Sequence, residues 1–116
     1  MQNDILRKPE AILKKIFGYN SFRPLQEEII TSVLNKKDAL VIMPTGGGKS
    51  VCYQVPSLIF AGLTVVVSPL ISLMKDQVDQ MKHLGIEAIL LNSSLGRDEY
   101  TENMNLIRNR KAKLLY

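Results

Sequence analysis

The 116-residue chain has a single cysteine, Cys52, so it can form no internal disulfide, and this usage suits a reducing compartment. No apolar run approaches the ~20 residues that a membrane-spanning helix needs. The opening Met-Gln-Asn-Asp lacks a basic stretch followed by an apolar core, which argues against a signal peptide. Repeats, low-complexity tracts and interdomain linkers are missing as well. Cys52 reads as a small buried filler rather than a nucleophile. His83 has no cysteine or carboxylate pattern around it, so neither residue is assigned a metal or catalytic role. These absences predict one small, soluble, cytoplasmic domain with no membrane partner.

A formal net charge of +4 mildly favours a polyanionic partner. Much of the excess lies in Arg108, Arg110, Lys111 and Lys113, where a solvated helix end is the simpler reading. Apolar residues recur at helical spacing over 9–17, with Ile12, Leu13, Ile16 and Phe17 on one face, until Gly18. A second helix is predicted to open at 21–24 and run to the polar turn 35–38. Residues 39–43, Ala-Leu-Val-Ile-Met, then form an unbroken apolar run expected of a buried parallel strand. Further buried strands are expected at 64–67, 86–91 and 113–116. Helices are expected over 49–60, 70–84 and 96–109, the middle one turning Leu70, Leu73, Met74, Val78 and Met81 inward. Alternating strands and helices imply a parallel sheet and an α/β class. Residues 1–38 are read as an N-terminal helical region and 39–116 as the first part of the α/β domain.

Behind the strand at 39–43 comes Met43-Pro-Thr-Gly-Gly-Gly-Lys-Ser50. A glycine turn ending in Lys-Ser lets backbone N–H groups converge on phosphate oxygens, because no Cβ blocks the approach. The helix starting near Lys49 adds the positive end of its dipole. Lys49 can reach the β- and γ-phosphates, and the Ser50 hydroxyl can ligate Mg²⁺. The general pattern G-x-x-x-x-G-K-[ST] is incomplete, since Met43 holds the first glycine position and Thr45-Gly46 supply a different turn.

Two other stretches carry chemistry. In Phe17-Gly-Tyr-Asn-Ser-Phe-Arg-Pro-Leu-Gln26, the Gln26 amide can bond adenine in a bidentate way that guanine cannot satisfy. Tyr19 offers a stacking face, and Arg23 can cover the base or pair with phosphate. A plain helix start, with Ser21 capping and Pro24 near the first turn, explains the same residues equally well. In Val65-Val-Val-Ser-Pro-Leu-Ile-Ser-Leu-Met-Lys-Asp-Gln77, Ser68 and Ser72 can bond a nucleic-acid phosphate and Lys75 adds charge. On the residues alone, a strand, turn and amphipathic helix is the better reading there.

Together these stretches resemble the RecQ family of DNA helicases in superfamily 2. The first is similar to the family's motif 0. The phosphate loop with Cys-Tyr-Gln-Val-Pro56 is similar to motif I, and the third to motif Ia. The similarity runs over residues 17–116, with the motifs in the family's order. It implies a P-loop NTPase (RecA-like) fold, here an incomplete parallel sheet with flanking helices. It also implies an adenine site at Tyr19, Arg23 and Gln26. Thr45, Gly46, Gly47, Gly48, Lys49 and Ser50 would hold ATP and Mg²⁺, with Lys49 as the catalytic cation. Ser68, Ser72, Lys75, Asn92 and Ser93 would lie along single-stranded or tailed DNA.

The apolar run ending in Asp-Glu-x-His that this family uses for Mg²⁺ and water is missing, as are a second RecA-like domain and zinc-binding and winged-helix modules. The resemblance therefore implies the N-terminal part of a 3′→5′ helicase of repair and recombination, nucleoid-associated in a bacterium. Without its remaining domains the chain is expected to be inactive. A different P-loop ATPase or kinase, and a non-catalytic nucleotide- or DNA-binding module, are the alternatives.

Overall fold

The computed structural model describes residues 8–44 and 48–116. Two compact units form, Met1–Ala61 and Gly62–Tyr116.

The first unit is helical. Helix α1 spans Pro9–Lys15, α2 Gln26–Leu34 and α3 Val51–Ile59. Apolar residues at helical spacing bring Ile12 and Leu13 of α1, Ile30 of α2, and Val51 and Val55 of α3 into one core. Phe17, Phe22, Leu34 and Leu58 close around it. As predicted, the chain reverses after α1 at Gly18, which takes a left-handed φ of 77°. Helix α2 starts later than predicted. Leu25, rather than Ser21, occupies its N-cap with φ 73°, and no side-chain cap bond forms.

Residues 39–43 depart most from the sequence expectation. They are not a buried strand: Leu40 is 92 % exposed and Ile42 88 %. A parallel strand is stable only when flanking strands satisfy its N–H and C=O groups. The three strands that do form pair with one another instead.

The second unit is α/β, as expected. Strand β1 (Thr64–Val65) leads to α4 (Ile71–His83), β2 (Ala88–Ile89), α5 (Arg97–Arg108) and β3 (Leu114–Leu115). The sheet order is β1-β3-β2, all parallel, so the last strand sits centrally. Leu114 is level with Thr64 on one side and Ala88 on the other. Ladder bonds continue past the strand ends, from Val66 N–H to Leu115 C=O (2.7 Å) and from Leu91 N–H to Tyr116 C=O (2.8 Å). Met74, Val78 and Met81 form the buried stripe of α4, which packs on β2.

Leu70 and Leu73, predicted to face inward, are exposed, because Leu70 precedes the helix in extended conformation and the inward stripe begins only at Met74. Val65 and Val67 are exposed too, so β1 is not the fully buried strand expected. It is an edge strand of this sheet. Among the described residues no helix is long and apolar enough to cross a membrane.

Three helices end in the same hydrogen-bonded turn with different residues at its left-handed position. After α4, Ile86 N–H donates to Met81 C=O (2.9 Å) and Gly85 N–H to Lys82 C=O (3.0 Å), with Gly85 at φ 80°. After α2 the same pair of bonds closes around Lys36 at φ 59°, and after α5 around Arg110 at φ 55°. A side chain in this region crowds its own backbone. Lys36→Gly and Arg110→Gly should therefore each stabilise the fold by roughly 0.5–1 kcal/mol, measured by urea denaturation.

Candidate nucleotide-binding site

The residues expected at a base and a phosphate loop meet within the first unit. The turn at Gly18 leads to Tyr19, whose N–H donates to Leu13 C=O at 3.1 Å while its ring remains 51 % exposed. Gln26, the first residue of α2, is 3 % exposed. Its Oε1 accepts from the Arg23 N–H at 2.8 Å, and its Nε2 donates to the Gly48 carbonyl at 3.0 Å. Tyr19, Ser21, Arg23, Gln26, Gly48 and Val51 line a small pocket of about 70 Å³. Sequence spacing alone joins motif 0 to no particular loop atom, so the bond to Gly48 and the place of Val51 in the lining were not foreseen.

Gly48 has φ 81°, a conformation suited to glycine. A Cβ added there would collide with Gln26 Nε2 and come within 3.6 Å of Arg23 Cδ. Lys49, exposed, and Ser50, half-buried, follow in the turn that opens α3. Ser50 stands at the N-cap with helical φ −59° and ψ −39°. Its carbonyl receives the Gln54 N–H at 2.9 Å, so the helix propagates directly from the Lys-Ser pair. The positive end of the α3 dipole thus lies immediately behind Lys49 and Ser50. Thr45, Gly46 and Gly47 lie outside the described residues.

Cys52 is buried in α3, and its thiol points back to the Gly48 carbonyl at 3.9 Å. Burial raises its pKa, which keeps it protonated and agrees with a packing role. Among the described residues no three His, Cys, Asp or Glu side chains gather in a way that could hold a metal ion.

The five residues read as DNA contacts all belong to the second unit. Ser68 Oγ accepts the Leu70 N–H at 3.2 Å and shapes the turn before α4. Ser72 and Lys75 are exposed on that helix. Asn92 Oδ1 accepts from the Ser94 N–H at 2.8 Å and from the Ser94 hydroxyl, while its Nδ2 is buried without a partner. Ser93 is exposed beside it. Asn103 Nδ2 donates to the Leu90 carbonyl at 2.7 Å and ties α5 to the end of β2.

The family model for DEAD/DEAH box helicases matches residues 23–116. The chain is 56 % identical over 114 residues to an ATP-dependent DNA helicase RecQ of Haemophilus influenzae, covering 97 % of this chain and 18 % of that protein. It is 46 % identical over 113 residues to the ATP-dependent DNA helicase RecQ of Bacillus subtilis, with 97 % and 19 % covered. Against the rat ATP-dependent DNA helicase Q1 the identity is 45 % over 113 residues, covering 94 % and 18 %. The chain thus spans about a fifth of the length of these curated relatives.

Proposed function

The chain belongs to the DEAD/DEAH box helicase family, on its RecQ branch, and from that premise we propose that it is the ATP-binding part of a 3′→5′ DNA helicase. One observation carries the reading: Tyr19, Arg23 and Gln26 converge on Gly48, next to Lys49 and Ser50. A stacking ring, an adenine-matching amide and a cation at a helix start form a complete set of handles for ATP.

In this reading Tyr19 stacks on the base, Gln26 bonds its edge, and Arg23 covers it or meets phosphate. The backbone of residues 45–48 and the Lys49 ammonium hold the triphosphate. The Ser50 hydroxyl fits as one ligand of Mg²⁺, which when bound neutralises charge on the β- and γ-phosphates. Lys49 steadies the charge that gathers on the transferred phosphoryl group. Ser68, Ser72, Lys75, Asn92 and Ser93 contact the phosphates of single-stranded DNA, and the protein works in the cytoplasm. In the longer parent, ATP hydrolysis drives movement on DNA in repair and recombination. This chain, with no acidic cluster for Mg²⁺ among its described residues, binds nucleotide without unwinding a duplex.

Mg·ATP titration of the purified chain tests this. Binding should weaken roughly 10- to 100-fold in Lys49→Ala, from loss of a charge-assisted contact. A tailed duplex should stay paired in the presence of the chain and ATP. Equal binding by wild type and Lys49→Ala would refute the site, and ATP-dependent unwinding would refute the chain's limited role.

A further inference from the structure

An amide side chain has two acceptor lone pairs on Oε1 and two hydrogens on Nε2. Gln26 uses one lone pair for the Arg23 N–H and one hydrogen for the Gly48 carbonyl. Turning the amide over would set Nε2 against a donor and Oε1 against a carbonyl oxygen. Its orientation is therefore fixed before any ligand arrives. One lone pair and one hydrogen remain, the same acceptor and donor that adenine's N6–H and N7 require.

Gly48 is shaped by the same contact. The space where a Cβ would stand is occupied by Gln26 Nε2, and φ is 81°. The next two residues are Lys49 and Ser50. We propose that Gln26 positions the phosphate loop as well as reading the base: its bond to the Gly48 carbonyl holds the turn that presents Lys49 and Ser50. Recognition of the base and grip on the phosphates are then coupled through one buried amide, across 22 positions of sequence. This inference rests on the nucleotide site described above.

The coupling has a consequence that base reading alone lacks. A triphosphate with no base should also sense the loss of Gln26. Mg·tripolyphosphate and Mg·ATP are titrated against wild type and Gln26→Met, which keeps the volume and removes both hydrogen-bonding groups. Tripolyphosphate should bind about fivefold more weakly to the variant, one hydrogen bond's worth, and ATP should lose more. The ¹³C shift of the Gly48 carbonyl should move in the variant with no ligand present. If Gln26→Met melts below the assay temperature, Gln26→Asn, one methylene too short to reach Gly48, gives the same readouts. Unchanged tripolyphosphate affinity and an unmoved Gly48 carbonyl, beside weakened ATP, would overturn the proposal and leave Gln26 a base reader only. Wild type that binds neither ligand would instead overturn the nucleotide site, and this inference with it.

Discussion

Gly48→Ala should lose nucleotide binding by at least about tenfold and destabilise the first unit by about 2–5 kcal/mol. Two independent penalties add. Alanine at φ 81° carries a steric cost of about 1–2 kcal/mol. The new Cβ also displaces the Gln26 amide, leaving the Gly48 carbonyl and the Arg23 N–H without their shared partner. Each buried group so orphaned costs about 1–3 kcal/mol, less where water can reach it. Urea denaturation gives the stability change, and Mg·ATP titration below the transition gives the binding change. A variant with wild-type stability would show that Gln26 does not sit against Gly48 in solution.

Leu114→Ala should cost about 2–5 kcal/mol and unfold the second unit at temperatures where wild type is native. Leu114 is fully buried in the central strand, level with Thr64 and Ala88, so its loss leaves a cavity flanked by both neighbouring strands. Leu40→Ser and Ile42→Ser supply the contrast. Both residues are exposed, and their replacement should change stability by no more than about 0.5 kcal/mol. Thermal melts by circular dichroism compare the three directly. A large loss for Ile42→Ser with a small one for Leu114→Ala would mean that 39–43, not β3, is the buried strand.

That contrast also marks how far the sequence could be read. Met74, Val78 and Met81 repeat at helical spacing and Gly85 follows, so α4 and its ending are visible in one local window. The run Leu114-Leu115-Tyr116 announced a strand, and one forms. The run at 39–43 announced a strand just as clearly, yet none forms, because pairing depends on neighbours that a local window does not contain. Leu70 and Leu73 misled for a related reason: periodicity names a stripe without naming what covers it.

The candidate site divides the same way. Residue types and order at Tyr19, Arg23, Gln26, Lys49 and Ser50 were legible because phosphate and adenine chemistry restrict them narrowly. The bond from Gln26 to Gly48 was not, since it joins two segments through the packing of α2 on α3. The late start of α2 shares that origin, as the Gln26 side chain turns back to the Arg23 N–H. At Ser68 and Asn92 the structure adds local turn bonds, which the sequence had offered as phosphate contacts.

The central claim is that this chain holds an adenine nucleotide, and competition between ATP and GTP tests it most directly. With a fluorescent ATP analogue bound to the chain and Mg²⁺ present, unlabelled ATP should displace it at roughly 10- to 100-fold lower concentration than GTP, the range for one bidentate base contact. Gln26→Met should erase most of that preference. Equal displacement by ATP and GTP from the wild-type chain would contradict the account.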